Sequence, residues 1–99
     1  MTTSTAPAAP VATTATTTVR VRYFAGARAA AGVSEEDVTT PSPASVEDVL
    51  DLLRRRRGGS FAKVLTGCSF LLDGIAVRDR TVTVADRSDL DVLPPFAGG

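Results

Sequence analysis

Residues 45–59, SVEDVLDLLRRRRGG, hold the clearest secondary-structure pattern in the chain and decide how the rest can fold. Ser45 occupies an N-cap position, and Asp48 follows three residues later, a short form of the capping box that begins many helices. Gly58 and Gly59 end the pattern, because glycine favours the position after a helix. Apolar residues recur at the i, i+3, i+4 and i+7 spacing of an amphipathic helix, namely Val46, Val49, Leu50 and Leu53. The sequence therefore predicts a helix over residues 46–57 with one buried face.

Four arginines, residues 54–57, form the C-terminal end of this predicted helix. Cations at that end complement the partial negative charge of the helix carbonyl groups. The run is therefore consistent with a solvated helix end or with a patch that docks an acidic partner.

The N-terminal part of the chain divides into a leader and a first strand. Residues 1–18, MTTSTAPAAPVATTATTT, carry no charge and few large apolar side chains, so we predict a disordered leader that lacks the features of a secretory signal. The domain is then residues 19–99. It begins with residues 19–23, VRVRY, which alternate with the period of a half-buried strand. The inward face of that strand is predicted to hold Val19, Val21 and Tyr23.

Two weaker patterns lie between this strand and the helix. Residues 25–32, AGARAAAG, are predicted to turn into a short helical piece that Gly32 ends. Residues 35–39, EEDVT, form a second strand pattern, which Pro41 and Pro43 close.

The part of the chain after the helix contains strand patterns joined by turns. A linking segment with Phe61, Val64 and Leu65 leads to an apolar strand at residues 68–72. Asp73-Gly74 is typical of a tight hairpin turn. The remaining predicted elements are a hairpin strand at 75–77, a weakly alternating strand at 81–84, a polar turn at 85–89 and a last strand at 90–93. One helix laid across one mixed sheet is the compact solution for this order, which predicts an α+β fold.

The composition excludes several classes of function. The 99 residues include 11 basic and 11 acidic side chains, so the formal net charge is +0 and the chain lacks the basic footprint of a nucleic-acid or membrane-surface protein. With one cysteine, Cys68, and no histidine, an ordinary Cys/His metal site and an internal disulfide are excluded. Cys68 is predicted to be a buried small hydrophobe. No stretch is long and apolar enough for a membrane span, and we expect a cytoplasmic protein.

The last residues, 93–99 (LPPFAGG), are the most informative part of the chain for function. A diglycine end can enter a channel too narrow for any side chain, and two prolines stiffen the segment before it. Taken by itself, a Gly-Gly end is also typical of a fraying terminus.

Over residues 19–99 the chain resembles the β-grasp, or ubiquitin-like, sulfur carriers represented by the small subunit of molybdopterin synthase. The residues that carry this resemblance are 21–25 (VRYFA), 73–74 (DG) and 93–99. This resemblance implies that a ubiquitin-activator-like enzyme uses ATP to adenylate the carboxylate of Gly99, which a sulfur donor converts to a thiocarboxylate. The sulfur would then pass to a cyclic pyranopterin precursor in molybdenum cofactor biosynthesis. The chain itself would bind no cofactor, and the catalytic residues would lie on the large subunit, its partner in a heterotetramer.

The resemblance also assigns roles to residues of this chain. Gly99 is the adenylated and thiocarboxylated residue, and the residues implied to enter or contact the partner are Gly98, Ala97, Phe96, Pro95 and Pro94. Phe24 and Arg28 match an aromatic residue and an arginine near the family's partner-facing surface. Plain core for Phe24 and a plain solvated helix position for Arg28 remain the alternatives.

One departure from the family pattern concerns the turn before the last strand. That turn usually contains an Asp-Gly-Asp type sequence, whereas this chain has Asp86-Arg87-Ser88. Either Arg87 adopts a positive φ or the turn is of another type.

Other functions share the same fold and ending. They are sulfur carriers for thiamine thiazole or cysteine biosynthesis, and ubiquitin-like modifiers that form isopeptide bonds with lysine. A non-catalytic docking module is a further alternative. The Pro-Pro-Phe-Ala-Gly-Gly ending favours the molybdopterin pathway among them.

Overall fold

The computed structural model describes residues 15–95, and within that range it contains seven strands and three helices. The elements in chain order are β1 (Thr16–Tyr23), α1 (Ala25–Ala31), β2 (Glu35–Pro41), β3 (Ala44–Ser45), α2 (Val46–Arg57), α3 (Gly59–Thr66), β4 (Ser69–Leu72), β5 (Ile75–Ala76), β6 (Thr83–Val84) and β7 (Asp89–Leu93). The predicted α+β class is confirmed.

The main sheet has five strands in the order β2-β1-β7-β4-β5. The first and last strands of the chain, β1 and β7, run parallel at its centre, and the other neighbours are antiparallel. The predicted mixed sheet is therefore confirmed. The weak pattern at residues 81–84 is strand only at Thr83–Val84, and this strand pairs with β3 in a separate two-stranded sheet.

Helix α2 packs its apolar stripe against the main sheet. All four residues of the predicted stripe are fully buried, as are the predicted inward residues Val19 and Val21 of β1, and Tyr23 is 2% exposed. Burying a side chain of this size stabilises the fold by about 1.5–3 kcal/mol. The apolar residues of α2, which recur about every 3.6 residues, and those of β1, which recur every second residue, each lie on one face. These two faces form the centre of the core.

Both ends of α2 are formed as the sequence predicts. The Ser45 hydroxyl accepts a hydrogen bond from the Asp48 backbone N–H at 3.1 Å, and the Asp48 carboxylate accepts one from the Ser45 N–H at 2.9 Å. Gly58 ends the helix with a φ of 90°, a left-handed region that favours glycine. The cap and the stop together set the length of the helix.

Helix α3 corrects the prediction of a linking segment after α2. Phe61 and Leu65, four residues apart, are each 1% exposed, so they share one buried helix face. The helix begins at Gly59 with no side-chain cap. A short helix without a cap and with a glycine at its start shows only a weak helical pattern in the sequence.

Strand β1 begins at Thr16, earlier than the predicted start at Val19, so residues 16–18 of the predicted leader are strand. Thr17 is 3% exposed and pairs with Thr40 of β2, and the Thr18 N–H donates to the Asp86 carboxylate at 2.8 Å. Threonine is β-branched and suits a strand, although its hydroxyl makes the segment look polar in the sequence.

Two turns contain residues with a positive φ. Asp73 and Gly74 have φ values of 50° and 84°, as a two-residue hairpin between β4 and β5 requires. Arg87 has a φ of 71°, so of the two alternatives for this turn the positive φ at Arg87 is the one observed.

Candidate functional site

The predicted site lies partly outside the described residues. Phe96, Ala97, Gly98 and Gly99 are beyond residue 95, and their assigned roles stay predictions. Pro94 and Pro95 are described, and they follow the end of β7 directly. The structure therefore shows where the predicted tail leaves the domain.

The end of β7 is held on both sides. Val92 pairs with Tyr23 of β1 and with Phe70 of β4, and it is fully buried. Because the strand lies between two hydrogen-bonded neighbours, its last residues cannot shift without breaking two ladders. The predicted tail thus follows an interior strand of the sheet.

A small group of residues surrounds the point of exit. The Phe24 N–H donates to the Val92 carbonyl at 3.2 Å, which places Phe24 beside the last residues of β7. Pro95 packs over Gly67, where a Cβ would lie 3.7 Å from the Pro95 Cγ atom. We call Phe24, Gly67, Pro94 and Pro95 the tail root. Of the predicted site residues, Phe24 thus lies beside β7 and Pro94 and Pro95 directly follow that strand, while Gly67 is an addition for which the sequence has no signal.

The structure distinguishes the two interpretations of Phe24. The residue is 40% exposed, so the alternative of a plain core residue is wrong. The residue also precedes the first residue of α1 in an extended conformation, which turns its side chain away from the inward face of β1. An exposed aromatic residue next to the end of β7 is available for contact with another protein.

Arg28 lies one turn further along α1. Its backbone N–H donates to the Phe24 carbonyl at 3.3 Å, and the residue is exposed. Arg28 is therefore near the tail root, although no contact joins its side chain to the root within the described residues.

Arg57 fastens α1 to the rest of the domain. Its Nη1 donates to the Ala31 carbonyl at 2.6 Å, while its Nε and Nη2 donate to the Glu36 carboxylate at 2.9 and 2.6 Å. The guanidinium also lies 5.7 Å from the centre of the Tyr23 ring. This one side chain thereby links α2 to the end of α1 and to β2.

Glu36 is the shared acceptor of a cluster that also contains Tyr23, Arg56 and Arg57, which we call the Glu36 cluster. Burial would raise the pKa of Glu36, but hydrogen bonds from Tyr23, Arg56 and Arg57 outweigh it and lower the pKa below its ordinary value. Burial and the bond to Glu36 raise the pKa of Tyr23. Glu36 is therefore ionised and Tyr23 protonated at neutral pH.

These contacts revise both interpretations of residues 54–57. Arg54 pairs with Glu47 at 2.9 Å and with Asp51 at 2.7 Å, and Arg56 pairs with Glu36 at 2.7 Å. Together with Arg57, three of these four arginines are engaged within the domain. Most of this run therefore forms ion pairs within the domain. Arg55 forms no ion pair with any of residues 15–95.

The outer face of the sheet carries an ion pair next to β7. Arg22 donates through Nε and Nη2 to the two carboxylate oxygens of Asp91, at 2.7 and 3.1 Å. The two residues face each other across the parallel β1–β7 ladder, and Asp91 is 8% exposed. This bidentate geometry holds the two strands together on the side opposite the helices.

Cys68 has the structural role predicted for it, although it lies one residue before β4 rather than within a strand. It is 6% exposed, and its thiol donates to the Val64 carbonyl at 3.2 Å. Burial raises the pKa of the thiol, so it stays protonated and is a poor nucleophile. Cys68 is therefore not suited to accept sulfur.

Among residues 15–95, no helix combines the length and the apolar character needed to pass through a lipid bilayer.

A known protein family matches most of the chain. The model of the ThiS family matches residues 21–99, which include the end of β1, every later helix and strand of the described residues, and the whole predicted tail. No curated protein matches the sequence of this chain.

Solved structures share the architecture. A proposed molybdopterin converting factor subunit 1 from Pyrococcus furiosus superimposes with a TM-score of 0.73 at 26% identity, covering 81% of this chain and 99% of that one. Small archaeal modifier protein 1 from Methanosarcina acetivorans gives a TM-score of 0.73 at 24% identity over 86% of this chain and 99% of that one. The complex of subunits 1 and 2 of molybdopterin-converting factor from Helicobacter pylori contains a chain with a TM-score of 0.59 at 20% identity, with coverage of 83% and 99%. The last two proteins are 24% and 20% identical to this chain, and their similarity shows a shared fold alone.

Proposed function

The chain belongs to the ThiS family, and from that premise we propose that it is the sulfur-carrying small subunit of a molybdopterin synthase. The observation that carries the proposal is the match of the family over residues 21–99, which runs through the tail to the final glycine. The chain has the ubiquitin-like fold of its structural neighbours, and the Pyrococcus furiosus protein with 26% identity bears a name from the molybdopterin pathway.

The proposed reacting group is the carboxylate of Gly99. A carboxylate is a poor electrophile until one of its oxygens becomes part of a good leaving group, and adenylation by ATP on a separate activating enzyme achieves this. Sulfide from a donor then attacks the carbonyl carbon, AMP departs, and a thiocarboxylate remains. The chain has no histidine, and its one thiol is buried, so the catalytic groups for these steps come from the partners.

The tail root supports the proposed insertion of the tail into a large subunit. Phe24 is 40% exposed and its backbone is hydrogen-bonded to Val92, two residues before Pro94, on a strand held by two ladders. A rigid base with an exposed aromatic anchor is a suitable surface for a partner that receives an extended peptide. We propose that Phe24, with Arg28 nearby, contacts the large subunit while residues 96–99 enter its channel.

The first test is intact-mass analysis of the full chain after incubation with an activating enzyme, ATP and a sulfur donor. We expect the mass to rise by the difference between one sulfur and one oxygen, located at Gly99 by fragmentation. A chain lacking Gly99 is the matched control and should stay unmodified. A wild-type chain that forms neither adenylate nor thiocarboxylate would contradict the proposal.

The pathway is tested by adding the large subunit and the cyclic pyranopterin precursor to the thiocarboxylated chain. We expect the carboxylate to return as the precursor gains sulfur. If the thiocarboxylate is consumed only with a thiazole precursor or with an amino-acid acceptor, the chain is a sulfur carrier of one of those other pathways.

A further inference from the structure

Gly67, which directly follows α3, is a glycine whose backbone does not require one. Its φ and ψ are −91° and 0°, a conformation with negative φ that other residues also adopt. The residue is exposed, so the core does not exclude a side chain at this position. The atoms nearest to an added Cβ are Pro95 Cγ at 3.7 Å, Pro95 Cδ at 3.9 Å and the Val64 carbonyl oxygen at 3.9 Å. A side chain at position 67 would therefore compete for space chiefly with Pro95.

The contact between Pro95 and Gly67 continues the pairing of β4 with β7. Ser69 is the partner of Leu93 in that antiparallel ladder. Moving two residues outward from this pair along both strands brings Gly67 opposite Pro95, where the packing contact is found. Proline has no backbone N–H, so Pro94 and Pro95 cannot donate hydrogen bonds to the ladder. Beyond Leu93, packing replaces donated hydrogen bonds in keeping the chain beside the α3–β4 junction.

The segment that carries Gly67 is itself fixed. The Gly67 N–H donates to the Val64 carbonyl, and the Cys68 N–H donates to the Leu65 carbonyl, both at 3.1 Å. Leu65 is 1% exposed and Cys68 is 6% exposed, so both neighbours of this turn are anchored in the core. The two prolines thus run from the last paired residue of β7, Leu93, to a fixed surface at Gly67.

We propose that Gly67 is a positioning residue, whose missing side chain leaves the space in which Pro95 lies and so sets the direction in which the chain leaves β7. The inference rests on the proposed function, because a tail that enters a partner binds best when its direction is already set. A chain that leaves β7 in another direction has to be turned before it can enter, and that cost appears in binding. Gly67 therefore affects the KM for the carrier and not kcat.

The first experiment tests the contact itself by NMR spectroscopy of the full chain and needs no partner. In wild type we expect nuclear Overhauser effects between the Gly67 Hα protons and the Pro95 Hγ and Hδ protons. Gly67→Val places heavy atoms on two of the three staggered positions around Cβ, so it should displace Pro95 and shift its proton resonances. Gly59→Val is the matched control, because a Cβ there meets nothing within 4 Å, and should leave these resonances unchanged. Absence of the effects in wild type overturns the proposal.

The second experiment measures adenylation of the full chain by an activating enzyme while the carrier concentration is varied. We expect Gly67→Val to raise the KM for the carrier about 10-fold and to leave kcat within about twofold of wild type. Gly59→Val should match wild type in both constants. Thermal unfolding should show both variants folded at the assay temperature, which excludes loss of the fold as the cause. An unchanged KM for Gly67→Val, or an equal rise for Gly59→Val, overturns the proposal.

A double-mutant cycle shows whether the added side chain acts through Pro95. Pro95→Ala removes the Cγ and Cδ atoms that lie nearest to position 67. Adding Gly67→Val to Pro95→Ala should therefore raise the KM by less than about twofold further. The same 10-fold rise in both backgrounds would mean that the valine meets the partner directly, and it overturns the proposal.

The two experiments also separate this inference from the proposed function. If no activating enzyme adenylates the wild-type chain, that result counts against the proposed function only. The NMR contact and its loss in Gly67→Val then decide whether Gly67 positions the chain at Pro95, because both are measured on the carrier alone.

Discussion

At the scale of single residues, Arg57 and Glu36 show how a charge pattern can conceal a structural role. A row of arginines at a helix end is consistent with solvation or docking, and no pattern in the sequence tells which one turns back into the domain. The structure shows that Arg57 reaches the Ala31 carbonyl and Glu36 together. The partner is far along the chain and belongs to the weakest predicted strand, so only the tertiary fold creates the pair.

Glu36→Gln is expected to lower the free energy of unfolding at pH 7 by about 2 kcal/mol, because it removes the charge that accepts hydrogen bonds from Arg56 and Arg57. The pKa of Glu36 is lower in the folded protein than its ordinary value, so its contribution is present at neutral pH and is lost as the pH falls below about 4. The measurement is urea unfolding of wild type and variant between pH 7 and pH 3. The stability difference should shrink towards the acid end.

Glu35→Gln is the matched control, since the neighbouring carboxylate is exposed and forms no ion pair among residues 15–95. This variant should stay within about 0.5 kcal/mol of wild type. Equal effects of the two substitutions, or a Glu36→Gln effect that does not depend on pH, would show that the cluster contributes nothing specific.

At the scale of elements, a helix or strand could be predicted well where several local sequence features, such as a cap, a stop and an apolar stripe, indicated the same structure. Helix α2 has a cap, a stop and a full apolar stripe, and its predicted bounds are those observed. Helix α3 has only Phe61 and Leu65 as a stripe and begins at a glycine, so its helical state depends on packing against the neighbouring elements. Strand β1 was predicted too short because Thr17 is buried through its pairing with β2, a contact that composition does not report.

Ser45→Ala tests the contribution of the cap that begins α2. Loss of the hydrogen bond from the Asp48 N–H should cost about 1 kcal/mol. In a domain of this size, that lowers the unfolding temperature by roughly 4–8 °C in a calorimetric or circular dichroism scan. Ser60→Ala, an exposed position inside α3, provides the same chemical change without a cap and should leave the temperature nearly unchanged. A Ser45→Ala protein as stable as wild type would mean that packing alone sets the start of α2.

At the scale of the whole molecule, the core and the proposed reacting group belong to different parts of the chain. The core lies between the helices and the main sheet, while the proposed reacting carboxyl follows β7 in the sequence, after the described residues. The sequence could predict the ending because Pro94, Pro95 and the diglycine lie within one stretch, residues 94–99. It could not predict that Phe24 lies beside Val92 or that Pro95 packs over Gly67, because the first needs β1 and β7 to pair in parallel and the second needs α3 to form.

Because of this separation, a change near the terminus should affect function without affecting stability. Gly98→Ala adds one methyl group where a narrow channel for the tail leaves no room, so we expect activation or sulfur transfer to fall about 100-fold. The unfolding free energy should change by less than about 0.5 kcal/mol. Gly59→Ala makes the same chemical change at the start of α3, where a Cβ meets nothing within 4 Å, and should keep full transfer. Single-turnover transfer of sulfur, measured with both variants, distinguishes the cases. A normal rate for Gly98→Ala would mean that the tail does not enter a close-fitting channel, and the diglycine would then need another explanation.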